Sequence, residues 1–428
     1  MLATLRNAWR VDEIRKKLLF TLFMVILYRL GNAVTVPYVD TALLSAHFAQ
    51  ISNTIMGLIN TMSGSALERA SIFALSIQPY INASIIIQLL TVAIPALERL
   101  KRDGGEEGKK KIEKITRYST IAIAILQGFG YYVFMDTNGM LDPVAEGFWV
   151  PVVIVASFVA GSALLMWMGE QITEFGIGNG ISVILFVSIV ARFPTEIGTM
   201  VMSVISIPSD WWIYTLMLLG ALAIIVLIVI VQNSERRIPV QYSKRVVGRK
   251  MYGGQSTHLP MKVNMSGVLP VIFAQSIASV PATIAVFVPR WTDSWFMRFF
   301  DMGSVPYAVL YFLLIVFFSY FYSTVQFNPI EISNNLRKNG GFIPGFRAGK
   351  PTSEFIQKVL TKITLFGALY LAIIAITPII ISMFSTTAAQ SGISLGGTSV
   401  IIVVSVALET LKQLESQLLM RHYKGFLE

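Results

Sequence analysis

Side chains able to carry out chemistry are scarce in the apolar stretches of this 428-residue chain, where a membrane enzyme or an ion-coupled carrier would need them. Carboxylates occur only toward the ends of such stretches, as at Asp136, Glu170 and Glu409. The histidines lie in connecting segments and in the tail: His47, His258 and His422. A charge inside a membrane is costly unless it is used, and hydrolysis needs an acid pair, a metal or a Ser–His arrangement. The sequence therefore argues against ion-coupled transport and against a membrane-embedded enzyme.

Two glycine-rich stretches resemble phosphate-binding loops in composition but lack the flanking strand or the residue spacing of such loops. Residues 176–182 read GIGNGIS but follow an apolar helix instead of a strand, which favours a tight connection between helices. Residues 345–351 have the wrong spacing for a P-loop and a Pro where Ser or Thr is required. The chain has no cysteine, which excludes thiolate metal sites and a Cys nucleophile. We therefore expect no cofactor, no metal and no nucleotide site, so that energy from ATP or GTP comes from a partner.

Composition places the chain in a membrane. Hydrophobic residues make up 54% of it, charged residues make up 14%, and the mean hydropathy is +0.65, which is too apolar for a soluble protein of this length. Several stretches are apolar over the roughly 20 helical residues that cross a bilayer. They are residues 18–36, 76–95, 119–135, 150–169, 181–201, 211–231, 268–288, 307–325, 363–383 and 398–411. The sequence thus predicts an all-α polytopic membrane protein with ten transmembrane helices.

Basic residues follow this topology. The net charge is +10, and 29 of the 34 Lys and Arg residues lie in the N-terminal segment, in alternate connections and in the tail. This distribution fits the positive-inside rule, which places both termini in the cytoplasm, better than it fits direct DNA binding. The first apolar stretch lacks a signal-peptide cleavage site, so we expect a retained span. Five spans followed by five spans suggest two inverted halves, residues 1–205 and 206–428.

A broken helix is expected at residues 63–90. Ser65 and Glu68 have the spacing of a capping box, which predicts a short helix over about 64–76. Pro79 lacks an N–H and disfavours helical geometry at the preceding residue, so a second helix should follow it. Broken helices at membrane depth usually line a cavity. This stretch is therefore the first candidate for a path through the membrane.

Aliphatic and polar residues share faces of the spans beyond that break. Ile81 and Ile85 lie on one helical face, and Leu185 and Ile189 repeat the spacing in the fifth span. Spacing alone favours ordinary packing of these side chains. The second and seventh spans also carry more polar residues than lipid exposure favours, namely Asn82, Ser84, Gln88, Gln275, Ser276 and Ser279. Hydrogen bonds between packed helices and a water-lined path explain these polar residues equally well.

Two long basic connections stand out, residues 233–265 and 326–362. Loops of that length are usually functional, and both are predicted to protrude as partner-binding hairpins. Their basic residues include Arg236, Arg237, Lys244, Arg245, Arg249, Lys250, Arg337, Lys338, Arg347 and Lys350. Arg347 lies in a glycine-flanked tip that can present its guanidinium to carboxylates or phosphates. The basic connection 99–117 is instead favoured as a topology determinant.

Several stretches together resemble the SecY family of protein-translocon channel subunits over nearly the whole chain. They are SGSALERASIFALSIQPYINASIIIQLL (63–90), EFGIGNGIS (174–182), RRIPVQY (236–242), NMSGVLPVIFAQSIASVPATIA (264–285), FNPIEISNNLRKNGGFIPGFRAGK (327–350) and GGTSVIIVV (396–404). The resemblance implies ten helices in two pseudo-symmetric halves. It also implies a passive channel that conducts unfolded polypeptides across the bacterial plasma membrane and releases membrane segments sideways. The alternative from the residues is a secondary transporter of small solutes, which would need the intramembrane carboxylates that are scarce here.

The same resemblance implies roles for single residues. The aliphatic constriction ring maps onto Ile81, Ile85, Leu185, Ile189, Ile272 and Ile402, with leucine replacing the usual isoleucine at 185. The plug maps onto residues 64–76, in particular onto Ser65, Ala66, Leu67, Glu68, Arg69, Ala70, Ser71, Ile72 and Phe73. The lateral gate, which opens toward lipid, maps onto Gln88, Thr91, Gln275, Ser276 and Ser279.

Partners are implied by the resemblance as well. They are the SecE and SecG subunits, the SecA ATPase, the ribosome, signal-sequence-bearing polypeptides and membrane lipid. Arg347 matches the family's arginine in the tip loop used by cytosolic partners. Ala348 departs from the proline that often follows it, which affects the expected rigidity of the tip but not its role.

Overall fold

The structure is a computed structural model that describes residue 6 and residues 8–51, 55–142, 147–206, 211–242, 245–247, 250–252, 256–287, 299–301, 304–384 and 397–424. Its helices are α1 (Asp12–Gly31), α2 (Thr41–Gln50), α3 (Ile55–Met62), α4 (Gln78–Ala93), α5 (Pro95–Asp103), α6 (Gly105–Thr137), α7 (Trp149–Phe175), α8 (Gly180–Val190), α9 (Phe193–Ser206), α10 (Trp211–Asn233), α11 (Leu269–Phe287), α12 (Val305–Gln326), α13 (Pro329–Lys338), α14 (Lys350–Phe384) and α15 (Gly397–Lys424). Its strands are β1 (Glu235–Tyr242), β2 (Arg245–Val247), β3 (Lys250–Tyr252), β4 (Ser256–Lys262) and β5 (Gly341–Phe342).

Long apolar helices dominate the fold. Seven helices of the described residues are long and apolar enough to cross a membrane, and an eighth span results if α4 and α5 count as one. These two helices are bent by 104° at their junction, because Pro95 disfavours helical geometry at Ile94, whose ψ is 110°. Each of the predicted apolar stretches overlaps a helix. The fold is thus that of an all-α polytopic membrane protein, while the number of ten crossings stays a prediction.

The first span begins and ends earlier than the predicted 18–36, because α1 extends from Asp12 to Gly31. The chain beyond it is extended and forms an isolated antiparallel bridge between Thr35 and Ser71. Flanking hydrogen bonds run from the Val36 N–H to the Ala70 carbonyl and from the Ile72 N–H to the Val34 carbonyl, both at 2.9 Å. The end of the first span therefore anchors residues 70–72.

The short helix predicted over 64–76 is wrong. Residues 63–77, called the turn segment below, form consecutive turns and bends around the bridge at position 71. Ser65 has φ +67°, which is incompatible with the extended backbone of an N-cap residue. Asn60 takes the place of the capping box: its Nδ2 donates to Glu68 Oε2 at 2.6 Å, and its Oδ1 accepts from the Glu68 N–H at 3.1 Å. Pro79 lies in the first turn of α4, where a missing N–H costs nothing.

The two long connections join in one small sheet of order β4-β1-β5. β1 and β4 pair antiparallel from Glu235↔Lys262 to Gln241↔Ser256, which confirms a hairpin in the first connection. The second connection is different, because it forms helix α13 and the two-residue strand β5, and α14 already begins at Lys350 rather than after 362. β5 pairs with β1 at Gln241↔Phe342 and Tyr242↔Gly341. The two connections thus form one unit, with a small core of Ile238, Val240, Met261, Ile343, Ile356 and Leu360.

Helices from residues 1–205 pack against helices from residues 206–428. α4 packs against α6, and both contact α11, while α8 packs against α15. The largest buried cluster extends from Met24 in α1 to Val406 in α15. A second cluster lies around the turn segment, α6 and α7, and includes Leu67, Tyr131 and Phe158. The turn segment contributes to both clusters, since Phe73 and Ile77 belong to the first.

Candidate functional site

Six aliphatic residues singled out in the sequence lie in one buried cluster. Two come from α4, two from α8, and one each from α11 and α15: Ile81, Ile85, Leu185, Ile189, Ile272 and Ile402. None of them is more than 6% exposed. Four helices from distant parts of the sequence therefore contribute branched aliphatic side chains to a common interior. Such an interior offers contact and exclusion of water but no ligand for ions.

The turn segment lies against this cluster, held by aromatic side chains. The Tyr28 ring stacks on Phe73 with centroids 5.8 Å apart, and its hydroxyl donates to the Ser63 carbonyl at 3.2 Å. The same hydroxyl lies 2.6 Å from Ser188 Oγ. On the other side, the Tyr131 hydroxyl donates to the Leu67 carbonyl at 2.6 Å. These hydroxyls satisfy carbonyl groups that a helix would have paired internally.

The residues predicted for this segment differ in burial. Ala66, Leu67, Ala70, Ser71 and Phe73 are buried; Ser65, Glu68 and Ile72 are half-buried; and Arg69 is exposed. The segment thus packs as a fitted loop with one charged side chain facing outward.

Gly161 in α7 lies where the backbone of the turn segment closely approaches this helix. A Cβ at this position would lie 1.9 Å from the carbonyl oxygen of Ile72. Because the obstacle is backbone, it cannot rotate aside as a side chain would. Gly161→Ala should therefore loosen the turn segment by about 1–3 kcal/mol, measured as faster exchange of the Ile72 amide hydrogen, which is bonded to the Val34 carbonyl.

Gly128→Ala is a matched control for this prediction. A Cβ at Gly128 would meet Phe158, Val155 and Leu75 side chains at 3.6–3.8 Å, which is ordinary contact. Exchange at Ile72 should stay unchanged in this variant. Equal exchange rates in the two variants would contradict the close approach at Gly161.

The contact between α4 and α11 is partly polar. Gln78 Nε2 in α4 lies 3.4 Å from Ser276 Oγ in α11, as donor to acceptor. Gln275 in α11 points instead to α3, where its Nε2 contacts Met62 Sδ at 2.9 Å. The other residues predicted here bond within their own helices: Gln88 to Ser84, Thr91 to Ile87, and Ser279 to Ser276. Gln78, which sequence reasoning passed over, therefore provides a hydrogen bond across this seam.

The basic residues of the two long connections are largely exposed. Arg337, Lys338, Arg347 and Lys350 are exposed, as are Arg236 and Arg237. Arg237 Nε lies 2.7 Å from Glu235 Oε1, and Lys350 Nζ lies 4.0 Å from Glu354 Oε1. Lys244 and Arg249 lie outside the described residues, and Arg245 and Lys250 lie on β2 and β3.

Arg347 lies at an ordered tip. The rings of Phe346 and Phe355 stack with centroids 4.2 Å apart, and the Arg347 carbonyl accepts from Thr352 Oγ1 at 2.8 Å. No ion pair within 4.0 Å is found for Arg347 among the described residues. The aromatic stack holds the tip where the sequence has Ala348 instead of proline.

One buried carboxylate contradicts the expectation from the sequence. Glu196 in α9 is 6% exposed and lies within a candidate span, Gly180–Met202. It forms an ion pair with Arg192, whose Nε lies 3.6 Å from Glu196 Oε1. The argument from missing carboxylates therefore loses part of its force. Among the described residues, no group of His, Cys, Asp and Glu could hold a metal ion.

Comparison with known families decides the identity. A family model described as SecY matches residues 71–411, which include the six aliphatic residues, the seam between α4 and α11, and Arg347. The chain belongs to the SecY family.

SecY relatives match from end to end. The protein translocase subunit SecY of Streptomyces coelicolor is 43% identical over 440 residues and covers 100% of both chains. That of Mycobacterium tuberculosis is 42% identical over 447 residues, again with 100% of both chains covered. The Corynebacterium glutamicum protein of the same name is 42% identical, with 99% of each covered.

Solved structures show the SecY fold at much lower identity. One described as "The structure of a protein conducting channel" has a TM-score of 0.63 at 17% identity and covers 94% of this chain and 92% of that chain. Sec61 in the canine ribosome–channel complex has a TM-score of 0.60 at 16% identity, with the same coverage. Full-length SecY relatives and this fold together make the chain a multi-pass protein-conducting channel subunit.

Sequence reasoning missed several polar residues of this SecY-family chain. Asn60, Tyr28 and Tyr131 hold the turn segment, and Arg192 with Glu196 forms the buried ion pair. The signal for Asn60 and Arg192 is a polar side chain within or beside an apolar run, and the tyrosines give none. The partners of Asn60 and of the two tyrosines lie 8 to 160 residues away along the chain, beyond the reach of local patterns. Arg192 and Glu196 have an i,i+4 spacing, which is a local helical pattern.

Proposed function

We propose that this SecY-family chain is sealed in its resting state by two layers, an aliphatic ring and a plug. The ring consists of Ile81, Ile85, Leu185, Ile189, Ile272 and Ile402, and the turn segment is the plug. The observation that carries the proposal is that four helices direct these aliphatic side chains into one buried cluster, against which the turn segment packs.

An aliphatic ring suits a chemically diverse substrate. An unfolded polypeptide presents every side-chain type in turn, so a conducting path cannot rely on specific ligands. Branched aliphatic side chains seal by contact and by dewetting, without retaining what passes. The channel therefore needs no catalytic group or cofactor of its own.

The turn segment suits the role of a removable stopper. Its backbone forms short hydrogen-bonded turns of its own, and it is held to its surroundings by tyrosine hydroxyls, one amide and a short β-bridge. Such contacts can be broken one after another, whereas a transmembrane helix has to be moved as a whole. The description of a related solved structure states that the plug domain of SecY stabilises the closed state and maintains a membrane seal.

The seam between α4 and α11 is the proposed lateral gate. It joins residues 1–205 to residues 206–428, which we propose as the two halves of the channel. A signal sequence is an apolar helix that would insert here and shift the equilibrium from closed to open. Gln88, Thr91, Gln275, Ser276 and Ser279 would lie along this gate, together with Gln78.

Cross-linking the seam tests the proposed gate. Linking Gln78→Cys to Ser276→Cys with a short bifunctional thiol reagent should lower translocation of a signal-bearing precursor at least about tenfold, equivalent to roughly 1.4 kcal/mol. The chain has no natural cysteine, so only the introduced pair reacts. Translocation into proteoliposomes is measured before and after addition of the reagent.

A second cysteine pair serves as the control. Ser323 and Thr364 lie with their hydroxyls 2.9 Å apart and join α12 to α14, both within the second half. Cross-linking these two positions should leave translocation nearly unchanged. Full transport through a channel cross-linked between 78 and 276 would refute the gate.

The exposed basic unit formed by the two long connections is the proposed docking site for the source of force. We propose the SecA ATPase and the ribosome as alternating partners, with Arg347 at the tip, and SecE and SecG as companion subunits in the membrane. Solved relatives include channels bound to ribosomes. The charge distribution supports a location in the bacterial plasma membrane with both termini cytoplasmic.

A further inference from the structure

A buried ion pair lies next to the turn segment without belonging to it. Arg192 follows α8, and Glu196 lies one helical turn later in α9. The Arg192 side chain is 18% exposed and that of Glu196 is 7% exposed. Removing two charges from water is costly, and their attraction compensates only if the geometry and the other hydrogen bonds are good. A further contact is therefore expected to stabilise the buried pair at this position.

That contact is with the helix before the turn segment. Arg192 Nη1 donates to Thr61 Oγ1 in α3 at 2.9 Å, a charge-assisted bond between residues 131 positions apart. Between Arg192 and Glu196 the nearest atoms are 3.6 Å apart, and neither Arg192 Nε nor Glu196 Oε1 has a hydrogen-bond partner within the described residues. Thr61 is thus the group that the guanidinium holds directly.

Asn60, the neighbour of Thr61, holds the turn segment. Besides its paired bonds with Glu68, its carbonyl accepts from the Ser65 N–H at 3.0 Å and from Ser63 Oγ at 2.9 Å. Asn60 is 3% exposed, so these bonds are shielded from water. A shift of the end of α3 would break several of them together.

We propose that Arg192 and Glu196 are positioning residues that fix the end of α3 and, through Asn60, keep the turn segment in its seat. Glu196 orients and neutralises the guanidinium, Arg192 holds Thr61, and Asn60 holds Glu68. This inference rests on the proposed role of the turn segment as a plug. It adds that an ion pair outside the turn segment helps to hold the plug in place.

The reactivity of a buried thiol measures whether the turn segment is in its packed position. Ser71 is fully buried, so the thiol of Ser71→Cys reacts only when the segment leaves its seat. In full-length channels in lipid nanodiscs, Arg192→Gln should raise the rate of modification by a maleimide about tenfold, equivalent to roughly 1.4 kcal/mol. Arg192→Lys retains a cation that can reach Thr61 and should return the rate most of the way toward that of the parent.

Arg117→Gln is the control, because it makes the same substitution in another Arg–Glu ion pair, which is more exposed. Arg117 Nε lies 2.8 Å from Glu170 Oε1 and joins α6 to α7, and within the described part of the chain it forms no bond to the turn segment or to α3. Its modification rate at position 71 should equal that of the parent. An unchanged rate in Arg192→Gln, an equal increase in Arg117→Gln, or a failure of Arg192→Lys to restore slow modification would each overturn the proposal.

A separate lock distinguishes this proposal from the plug itself. Thr35 and Ser71 face each other in the antiparallel bridge without exchanging hydrogen bonds, the pairing with the shorter cross-strand distance. A disulfide between Thr35→Cys and Ser71→Cys should hold the segment seated and block conduction if it is the plug. Unimpaired conduction through the locked channel would refute the plug, while the modification rates would still decide the role of Arg192.

Discussion

Replacing Ile85 and Ile402 together by asparagine is expected to raise the ion conductance of the resting channel at least about tenfold, since removing a dewetted barrier of only 1.4 kcal/mol has that effect. Both side chains are nearly inaccessible to solvent, at 3% exposed for Ile85 and 0% exposed for Ile402. They come from α4 and α15, two helices that are distant in the sequence. An amide at each position would bring water into an interior that aliphatic groups keep dry. The same change should weaken the dependence on the signal sequence, because the closed state loses packing energy.

Planar-bilayer recordings of the purified complex measure this conductance. Ile85→Val with Ile402→Val keeps the site apolar and should leave the conductance near the parent value. Ile228→Asn places the same amide in the same cluster from α10, at a residue that is 0% exposed. It should lower stability without opening a path. Parent-like conductance in the double asparagine variant would remove both isoleucines from the constriction.

Arg347→Glu is expected to lower motor-driven translocation at least about tenfold, because a charge-assisted contact with a partner contributes roughly 1.5–3 kcal/mol. The side chain is exposed and its tip is held by the stacked rings of Phe346 and Phe355. Membrane insertion and folding of the subunit should therefore be normal. ATP-dependent import of a precursor into proteoliposomes, with the soluble ATPase added, measures the effect.

Two companion variants define what Arg347 does. Lys358→Glu makes the same charge reversal at an exposed position of α14 and should leave translocation within about twofold, since exposed charges away from a contact contribute little. Arg347→Lys keeps the charge but loses the planar fork, and an intermediate loss would indicate bidentate binding. Normal transport by Arg347→Glu would exclude the tip as a docking site.

Much of the membrane architecture is predictable from the sequence because it depends on local composition. Every apolar stretch overlaps a helix, and the β-like run before Tyr242 is a strand. The constriction residues are a different case, since spacing alone favoured ordinary packing and only the family resemblance pointed to them. The structure places the six in one buried cluster.

The errors have a common physical cause in specific partners, most of which are distant in the sequence. The Ser65 and Glu68 pattern fits a capping box, yet Asn60 competes for both polar groups of Glu68 and the backbone at Ser65 turns left-handed. The second long connection gains its strand only because β1 offers an open edge. Glu196 is buried because Arg192 accompanies it. In each case the partner, not the local pattern, decides the conformation.

The three-stranded sheet has a mechanical consequence. β1 follows α10 after a single residue, β4 leads toward α11, and β5 lies between α13, which follows α12, and α14. Its strand order β4-β1-β5 therefore ties together the ends of four long helices on one side of the molecule. A force applied at the Arg347 tip is shared among these helices through the backbone hydrogen bonds of the sheet. A partner that pushes on the tip therefore acts on one rigid unit and not on two separate loops.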